Sequence, residues 1–431
     1  MTKTETKLVE KRYLIPFILV TSLFALWGFA NDITNPMVAA FQTVMEITNA
    51  KASLVQLAFY GGYATMAIPA ALFVQKYSYK RGILVGLGLY AIGALLFWPA
   101  AKYETFGFFL GSLYILTFGL AFLETTANPF ILSLGSEETS TRRLNLAQSF
   151  NPAGSLLGMF VASRVILASL DSDKRDAAGE LIFPTLNETA KATIRTHDLM
   201  VIRDPYVILG LVVIFMFILI AITRMPQFGR SENMKFKDSV GRLIRNTNFR
   251  EGVIAQVFYV AAQIMCWTFI IQYADNLGID KATAQLYNIA AMAVFLCSRF
   301  ISTFLMKYLN PRLMLMFFAI GGILCMFGTI FIVGRAGLYC LLATSAFMSL
   351  MFPTIYGIAL RGIGKDASLG AAFLVMAIVG GALMPPLQGA IIDQGTILNH
   401  PAVNVSFVLP LISFFIIAIY GYRCYRRILT E

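Results

Sequence analysis

Histidine and charged residues are scarce in this chain. Of its 431 residues only two are histidines, His197 and His400, and 13% are charged. Soluble globular domains carry about 25% charged residues, so the composition excludes that class. A polytopic membrane enzyme is an alternative in principle, but the sequence has no aspartate-rich metal motif and no nucleophile elbow. We therefore expect no enzyme, no catalytic residues, no cofactor and no bound metal.

Cysteine is also rare, and its five positions show no paired spacing. Neither a disulfide framework nor a cysteine metal site is indicated by this pattern. We interpret all five as packing residues: Cys266, Cys297, Cys325, Cys340 and Cys424.

Apolar residues dominate instead. They make up 58% of the chain, and the mean hydropathy is +0.72. A helix needs roughly 20 apolar residues to cross a bilayer. The hydrophobic runs predict an all-α integral membrane protein with twelve transmembrane helices, at about 13–44, 52–76, 82–100, 106–134, 144–170, 205–223, 252–275, 283–307, 312–333, 336–360, 367–393 and 402–423.

Lysine and arginine concentrate on the side of the N-terminus, which predicts that both termini are cytoplasmic. The central loop is the most basic segment and accounts for much of the net charge of +11. Such a loop favours anionic lipid headgroups over nucleic acid as its partner. The N-terminal tail leads into a full-length span and not into a cleavable signal peptide, so we expect a multi-pass protein of the bacterial inner membrane.

A faint internal repeat relates the two sets of six spans. AFLETTANP at Ala121 and AFMSLMFP at Ala346 both begin with Ala-Phe and reach a proline, in the fourth and tenth spans. This predicts two six-helix halves, 1–223 and 251–431, joined by a basic cytoplasmic linker at 224–250. Major facilitator transporters have this layout, with substrate bound near the membrane midplane.

Glu124 is the clearest functional candidate. It interrupts the apolar run 118–132. An ionisable group at that depth costs at least roughly 2.5 kcal/mol unless a polar cavity or partner receives it. Because burial disfavours the charged form, a carboxyl group there can hold and release a proton. We predict a role in proton coupling.

Span one contains a second carboxylate, Asp32, within a polar interruption that also includes Asn31, Asn35 and Pro36. Proline removes a helix hydrogen bond, so the backbone is expected to kink and to free carbonyls for ligand or water. We predict that Asp32 shares proton coupling with Glu124 and that Asn31 and Asn35 contact substrate. The alternative is that Asp32 lies in a solvated vestibule at the outer end of the helix.

Span five carries three amides on one helical face: Asn145, Gln148 and Asn151. Amides donate and accept hydrogen bonds without net charge, as the hydroxyls of a sugar require. We predict sugar contacts here. The alternative is hydrogen bonding between helices that stabilises the bundle.

Span seven offers the matching set. Gln256, Gln263 and Trp267 share a stripe, and Tyr259 lies nearby. Aromatic faces can stack on sugar rings while amides bind hydroxyls, so we predict the second part of a carbohydrate site. The alternative is that the aromatic residues are membrane-interface anchors.

Two arginines fall within spans, Arg164 and Arg299. Each is close enough to a span end for its guanidinium to reach the interface, so neither is assigned to substrate. The lack of a run of intramembrane arginines argues against an anionic substrate such as a sugar phosphate.

Five sequence runs, in order over nearly the whole chain, carry a resemblance: LETTANPF, RLNLAQSFN, QVFYVAAQIMCW, SAFMSLMFPTI and FLVMAIVGGALMPP. The chain resembles the fucose-galactose-glucose:proton symporters of the major facilitator superfamily. The resemblance implies import of L-fucose or a related hexose with H⁺, using one carboxylate in span one and one in span four. We expect the protein to act as a monomer. Glucose, galactose or N-acetylglucosamine is the alternative substrate.

Glu124 matches the second of these carboxylates, but the first departs from the pattern. By its spacing from Trp27, the expected acidic position is Asn35, and Asp32 stands three residues earlier. Three residues are nearly one helical turn, about 4.5 Å along the axis, so Asp32 points to roughly the same face.

Overall fold

In the computed structural model the chain is almost entirely helical. The structure describes residues 7–34, 37–47, 51, 54–174, 176, 181–226, 236–279, 281–332, 334–397 and 399–430. Twelve helices in these ranges are long and apolar enough to cross a membrane, which confirms the predicted number. Their bounds are Lys11–Thr34, Leu57–Lys76, Tyr79–Tyr103, Phe106–Ser133, Ser140–Ser169, Glu188–Ile222, Thr247–Asp275, Thr283–Leu305, Pro311–Phe331, Arg335–Ala359, Gly364–Ile392 and Ala402–Arg427.

Span six departs most from the expected bounds. Its helix starts at Glu188, not near 205, and runs for 35 residues. The segment before Pro205 is polar, so hydropathy alone does not reveal it as helix. Asn187 begins the helix as an N-cap, its side chain accepting a hydrogen bond from the backbone N–H of Ala190. His197, which falls between the predicted spans 144–170 and 205–223, therefore lies on this helix.

The chain folds into two compact units. The first, unit A, contains Ile18–Ala127 and Ala153–Arg230. Its main helices are Leu14–Thr34, Met37–Val44, Leu54–Lys76, Tyr79–Leu95, Phe97–Tyr103, Phe106–Ser133, Phe150–Val161 and Glu188–Ile222. Span five ends in a π-helical turn, Ala162–Ile166, and a 3-10 turn, Leu167–Ser169, and 3-10 turns at Asp171–Asp173 and Phe183–Thr185 follow it.

Aromatic packing and a hydroxyl contact fasten the long helix within unit A. The Tyr206 ring stacks on Phe97 with centroids 3.9 Å apart, and its hydroxyl lies 3.0 Å from Thr34 Oγ1. Both contacts are buried, so the tyrosine joins apolar packing to a satisfied polar group.

Unit B contains Met1–Phe17, Asn128–Pro152 and Ser231–Glu431. Its main helices are Ser140–Gln148, Phe236–Arg245, Thr247–Thr268, Ile270–Asp275, Lys281–Leu305, Pro311–Phe331, Arg335–Met348, Met351–Ala359, Ala367–Met376, Gly380–Ile392, Ala402–Ser406 and Val408–Thr430. Short 3-10 turns occur at Lys11–Tyr13, Gly364–Asp366 and Ala377–Val379, and strands Thr396–Ile397 and His400–Pro401 pair antiparallel. Because the units follow packing and not chain order, the sequence-based division at 223 and 251 stays a prediction.

The described part of the central loop contains an amphipathic helix, Phe236–Arg245. Leu243 is buried, whereas Phe236 and Ile244 are exposed. Arg242 clamps Asp366 through two nitrogen–oxygen contacts of 2.8 Å. This pair anchors the helix to the start of span eleven within unit B.

Candidate functional site

Glu124 lies well inside span four. It is about 14 Å from the C-terminal end of helix Phe106–Ser133, at 1.5 Å per residue. Its side chain is half-buried, between Leu123 and Thr125, which are both buried. Tyr63 on span two is close enough to interact electrostatically with the carboxylate. The location agrees with the depth expected from the sequence, while the proton-coupling role stays a prediction.

Asp32 is half-buried near the end of helix Leu14–Thr34. Its carboxylate accepts hydrogen bonds from the side chains of Ser155 and Asn31, and Tyr60 lies within electrostatic range. Ser155 is itself 4% exposed. Asn35 and Pro36 lie outside the described residues, so the predicted role of Asn35 and the predicted kink stay predictions.

A glycine allows span one to approach span five at this point. A Cβ atom at Gly154 would overlap the carbonyl of Ala25, so the two helices touch backbone to backbone. The close approach brings Ser155 beside Asp32 within unit A. Ser155, Tyr60 and Tyr63 were not predicted. The run AFYGGY, which holds both tyrosines, was the available signal for the latter two.

The amides of span five make contacts between helices of unit B. Asn145 donates to Thr354 Oγ1 at 3.1 Å, and Gln148 donates to Asn128 Oδ1 at 2.9 Å. Both residues are buried, whereas Asn151 is half-buried. Hydrogen bonding between helices, the alternative to a sugar site, therefore describes the contacts of Asn145 and Gln148 here.

The predicted stripe of span seven is present on helix Thr247–Thr268. Trp267 donates from Nε1 to Ser345 Oγ at 3.2 Å, and the buried Tyr259 donates to the carbonyl of Met348 at 3.2 Å. Gln263 is half-buried. Gln256 is fully buried, and among the described residues neither atom of its amide has a hydrogen-bond partner.

Arg299 does not reach the membrane interface as expected; it is 3% exposed and inside unit B. Its Nε donates to the carbonyl of Ser349 at 2.5 Å, and its Nη1 donates to the carbonyl of Gln148 at 3.1 Å. Each carbonyl lies four residues before a proline, Pro353 and Pro152, which has no N–H to offer it. The arginine therefore completes two helix turns that prolines leave open. Arg164, by contrast, is exposed.

Arg143 is a buried cation that was not predicted. Its guanidinium is 0% exposed and donates to the carbonyls of Ile131, Leu132 and Leu8 at 2.7, 2.6 and 3.0 Å. Cations are favourable at the C-terminal ends of helices, where carbonyls lack helix partners. An arginine following the end of span four was the available signal.

The model of the major facilitator superfamily matches residues 20–385. The chain belongs to this superfamily, whose twelve-helix fold it has, and it is accordingly a multi-pass membrane transporter and not an enzyme.

Within the superfamily, the chain is 67% identical to an L-fucose-proton symporter from Haemophilus influenzae, over 97% of this chain and 99% of the relative. It is 31% identical to a glucose/galactose transporter from Brucella abortus, covering 97% of this chain and 96% of that one. Among solved structures, the transporter FucP in the outward conformation aligns with a TM-score of 0.88 at 33% identity. That alignment covers 96% of this chain and 99% of FucP.

Proposed function

We propose that this protein imports L-fucose, or a closely related hexose, together with a proton by alternating access. It acts as a monomer in the bacterial inner membrane with both termini in the cytoplasm. The observation that carries the proposal is the carboxylate of Glu124, half-buried deep inside span four. The 67% identity to a symporter with this substrate agrees with it.

Glu124 carries the proton. An intramembrane carboxylate is expensive when charged, and a proton removes that cost. The protonated carrier can then close around sugar, and loss of the proton to the cytoplasm resets it. The carboxylate of Asp32, which accepts a hydrogen bond from Ser155, either shares proton coupling with Glu124 or orients the sugar within unit A.

The sugar meets amide and aromatic side chains. Gln256 supports this role because its fully buried amide has no hydrogen-bond partner among the described residues, which is costly unless a ligand supplies one. Trp267 and Gln263 lie on the same helix, Thr247–Thr268. The remaining contacts are assigned to Asn31, Asn35, Asn145, Gln148, Asn151 and Tyr259.

Anionic lipid is the partner of the cytoplasmic surface. Helix Phe236–Arg245 exposes Phe236 and Ile244 and carries Lys237 and Arg245, while its Arg242 is paired with Asp366. Such a helix suits the interface plane of the bilayer, with its apolar side chains in the acyl boundary and its cations at the headgroups.

Glucose or galactose is the second candidate substrate. The relatives include a glucose/galactose transporter at 31% identity, and the displaced carboxylate at Asp32 changes the polar pattern of span one. The fold and the proton step are the same under either substrate.

Counterflow in proteoliposomes tests the substrate. Vesicles are loaded in turn with unlabelled fucose, galactose, glucose or N-acetylglucosamine, and entry of the labelled sugar is followed. The external pH is then recorded during uptake of the best sugar. We expect fucose to give the fastest counterflow and its uptake to make the outside more alkaline.

A preference for another hexose would leave the proposed mechanism unchanged and would change the assigned substrate. Sugar exchange without a pH change would contradict proton coupling. No exchange of any of the four sugars would overturn the functional assignment.

A further inference from the structure

Three metal-ligating side chains converge in unit A, outside the transport site. They are Asp171, in the turn after span five, and the adjacent His197 and Asp198 on helix Glu188–Ile222. One donor atom from each lies within 4.8 Å of the others. This cluster, here called the outer triad, lies on the external side in the proposed orientation.

The Nδ1 atom of His197 has two carboxylate oxygens nearby but can donate a full hydrogen bond to only one. Its Nδ1 is 3.0 Å from Asp198 Oδ1 and 3.5 Å from Asp171 Oδ2. One ring nitrogen carries at most one proton, which can be donated fully to only one of these oxygens. A metal ion can be bound by all three atoms at once.

The separations suit a zinc-class ion. With bonds of about 2.0–2.2 Å, neighbouring ligands of a tetrahedral zinc ion lie about 3.2–3.6 Å apart. The two nitrogen–oxygen separations are close to this range. Asp171 is 37% exposed, so its side chain has room to move inward and shorten the remaining separation, between its own carboxylate and that of Asp198. One imidazole and two carboxylates form a ligand set that transition metals take and that Mg²⁺ or Ca²⁺ does not prefer.

One member of the outer triad, Asp198, is buried and held in a fixed orientation. Asp198 is 0% exposed, and its two oxygens accept the backbone N–H groups of Asp171 and Ser172 at 3.0 and 2.9 Å. The Ser172 hydroxyl in this turn is also buried and has no hydrogen-bond partner among the described residues. These bonds orient the carboxylate as outer-shell partners orient metal ligands.

Neighbouring contacts hold the same helix end in place. Lys191 and Arg195 pair with Glu46 at 2.7 and 3.3 Å. On the other side of the triad, Lys174 takes Asp171 Oδ1 at 2.7 Å, which leaves Oδ2 directed to His197. The carboxylates still outnumber the lysine locally, so the site attracts a cation. His197 is 52% exposed, which gives an ion access.

We propose that the outer triad of Asp171, His197 and Asp198 binds a divalent transition-metal ion of the zinc class. The ion joins the turn after span five to the start of span six. It is separate from the sugar and proton residues, so its role is to brace the external end of unit A.

The test is zinc binding to the full-length protein. The chain is purified in detergent with a histidine-free tag, stripped with EDTA, and titrated with Zn²⁺ by calorimetry, while melting is followed in parallel. We expect one Zn²⁺ per chain and a higher melting temperature with Zn²⁺ than with EDTA. Mg²⁺ at the same concentration should give neither effect.

Variants locate the ion. His197→Gln and Asp171→Asn should each weaken Zn²⁺ binding by at least about 10-fold and remove the melting shift. His400→Gln is the matched control, because it removes the only other histidine of the chain and should leave binding unchanged. Asp198 is left intact, since its carboxylate also holds the turn.

Two results would overturn the proposal. The first is a wild-type protein that binds no Zn²⁺ above the buffer blank. The second is Zn²⁺ binding that persists unchanged in His197→Gln and Asp171→Asn, which would place the ion elsewhere. Elution of the variants as single symmetric peaks on size exclusion confirms that they are folded.

Discussion

Spans four and ten contain the two copies of the internal repeat, but they differ in the polar group that each presents shortly before its proline. In span ten the helix is interrupted between Met348 and Met351, and the carbonyl of Ser349 accepts a hydrogen bond from Arg299. In span four the helix continues from Phe106 to Ser133, and the polar group is the side chain of Glu124. A guanidinium stays charged at any physiological pH, whereas a carboxyl group can gain and lose its charge. Span ten therefore contacts a permanent charge, Arg299 of span eight, whereas span four carries a group that a proton can neutralise.

The same contrast separates the two units more widely. The buried arginines of unit B, Arg143 and Arg299, are held by backbone carbonyls. Breaking such a contact strands buried acceptors, so these residues serve stability. The intramembrane carboxylates Asp32 and Glu124 belong to unit A, where loss of charge relieves the cost of burial. Substitutions in the two units should therefore fail in different ways.

The largest effect is expected for Glu124→Gln. The amide imitates the protonated carboxyl group in shape and charge but cannot release a proton. We expect counterflow of sugar to persist, while the ratio of internal to external sugar at steady state falls to about 1, because an uncoupled carrier only equilibrates its substrate. Accumulation in proteoliposomes with an imposed proton gradient measures this.

Glu188→Gln is the matched control, since its side chain is 86% exposed at the start of span six and should accumulate sugar normally. Normal uphill uptake by Glu124→Gln would show that Glu124 does not carry the proton, and the proposed difference between spans four and ten would then be wrong.

Asp32→Ala should come next. Losing a charged hydrogen-bond acceptor for Ser155 is expected to slow active uptake by at least about 10-fold, which corresponds to ~1.4 kcal/mol. Initial rates of proton-driven uptake measure it, with Ser155→Ala as a milder change at the same contact. Unaltered uptake by Asp32→Ala would return Asp32 to a solvated vestibule.

Hydropathy and charge placement were enough to predict twelve spans and the depth of Glu124, because a bilayer imposes a length and a polarity on each helix. They were insufficient for the first part of span six, residues 188–204, because this segment is polar. The helix there depends on the Asn187 cap and on tertiary contacts such as Lys191 with Glu46. A hydropathy window does not detect either feature.

The candidate site was predicted by residue type, but its partners were not. Ser155 reaches Asp32 only because Gly154 lets two helices touch, and that proximity links residues far apart in sequence. Arg299 was misjudged for a related reason. Its two carbonyl partners lack a helix donor because of Pro152 and Pro353, which lie on two other spans. Nothing in the sequence of span eight indicates these contacts.

Arg299→Met tests the structural half of the contrast. It leaves two buried carbonyls without donors, at a cost of about 1–3 kcal/mol each, so the apparent melting temperature should fall by about 5 °C or more. Arg164→Met is the matched control. Its guanidinium is exposed, and melting should change by only about 1 °C. Equal melting of the two variants would mean that Arg299 is not a structural charge.

The smallest effect is expected for Gln256→Met, because neither polar atom of this buried amide of unit B has a hydrogen-bond partner among the described residues. Its fully buried side chain has no partner among the described residues, so an apolar replacement should raise the melting temperature by about 2–4 °C. If sugar supplies the missing partners, the same change should weaken sugar binding by about 10-fold. Gln388→Met is the control: it loses the bond to Ser406 Oγ and should melt lower with sugar affinity unchanged. A Gln256→Met protein that melts higher and binds sugar as tightly as before would make Gln256 a core residue and would place the sugar contacts of span seven on Gln263 and Trp267 alone.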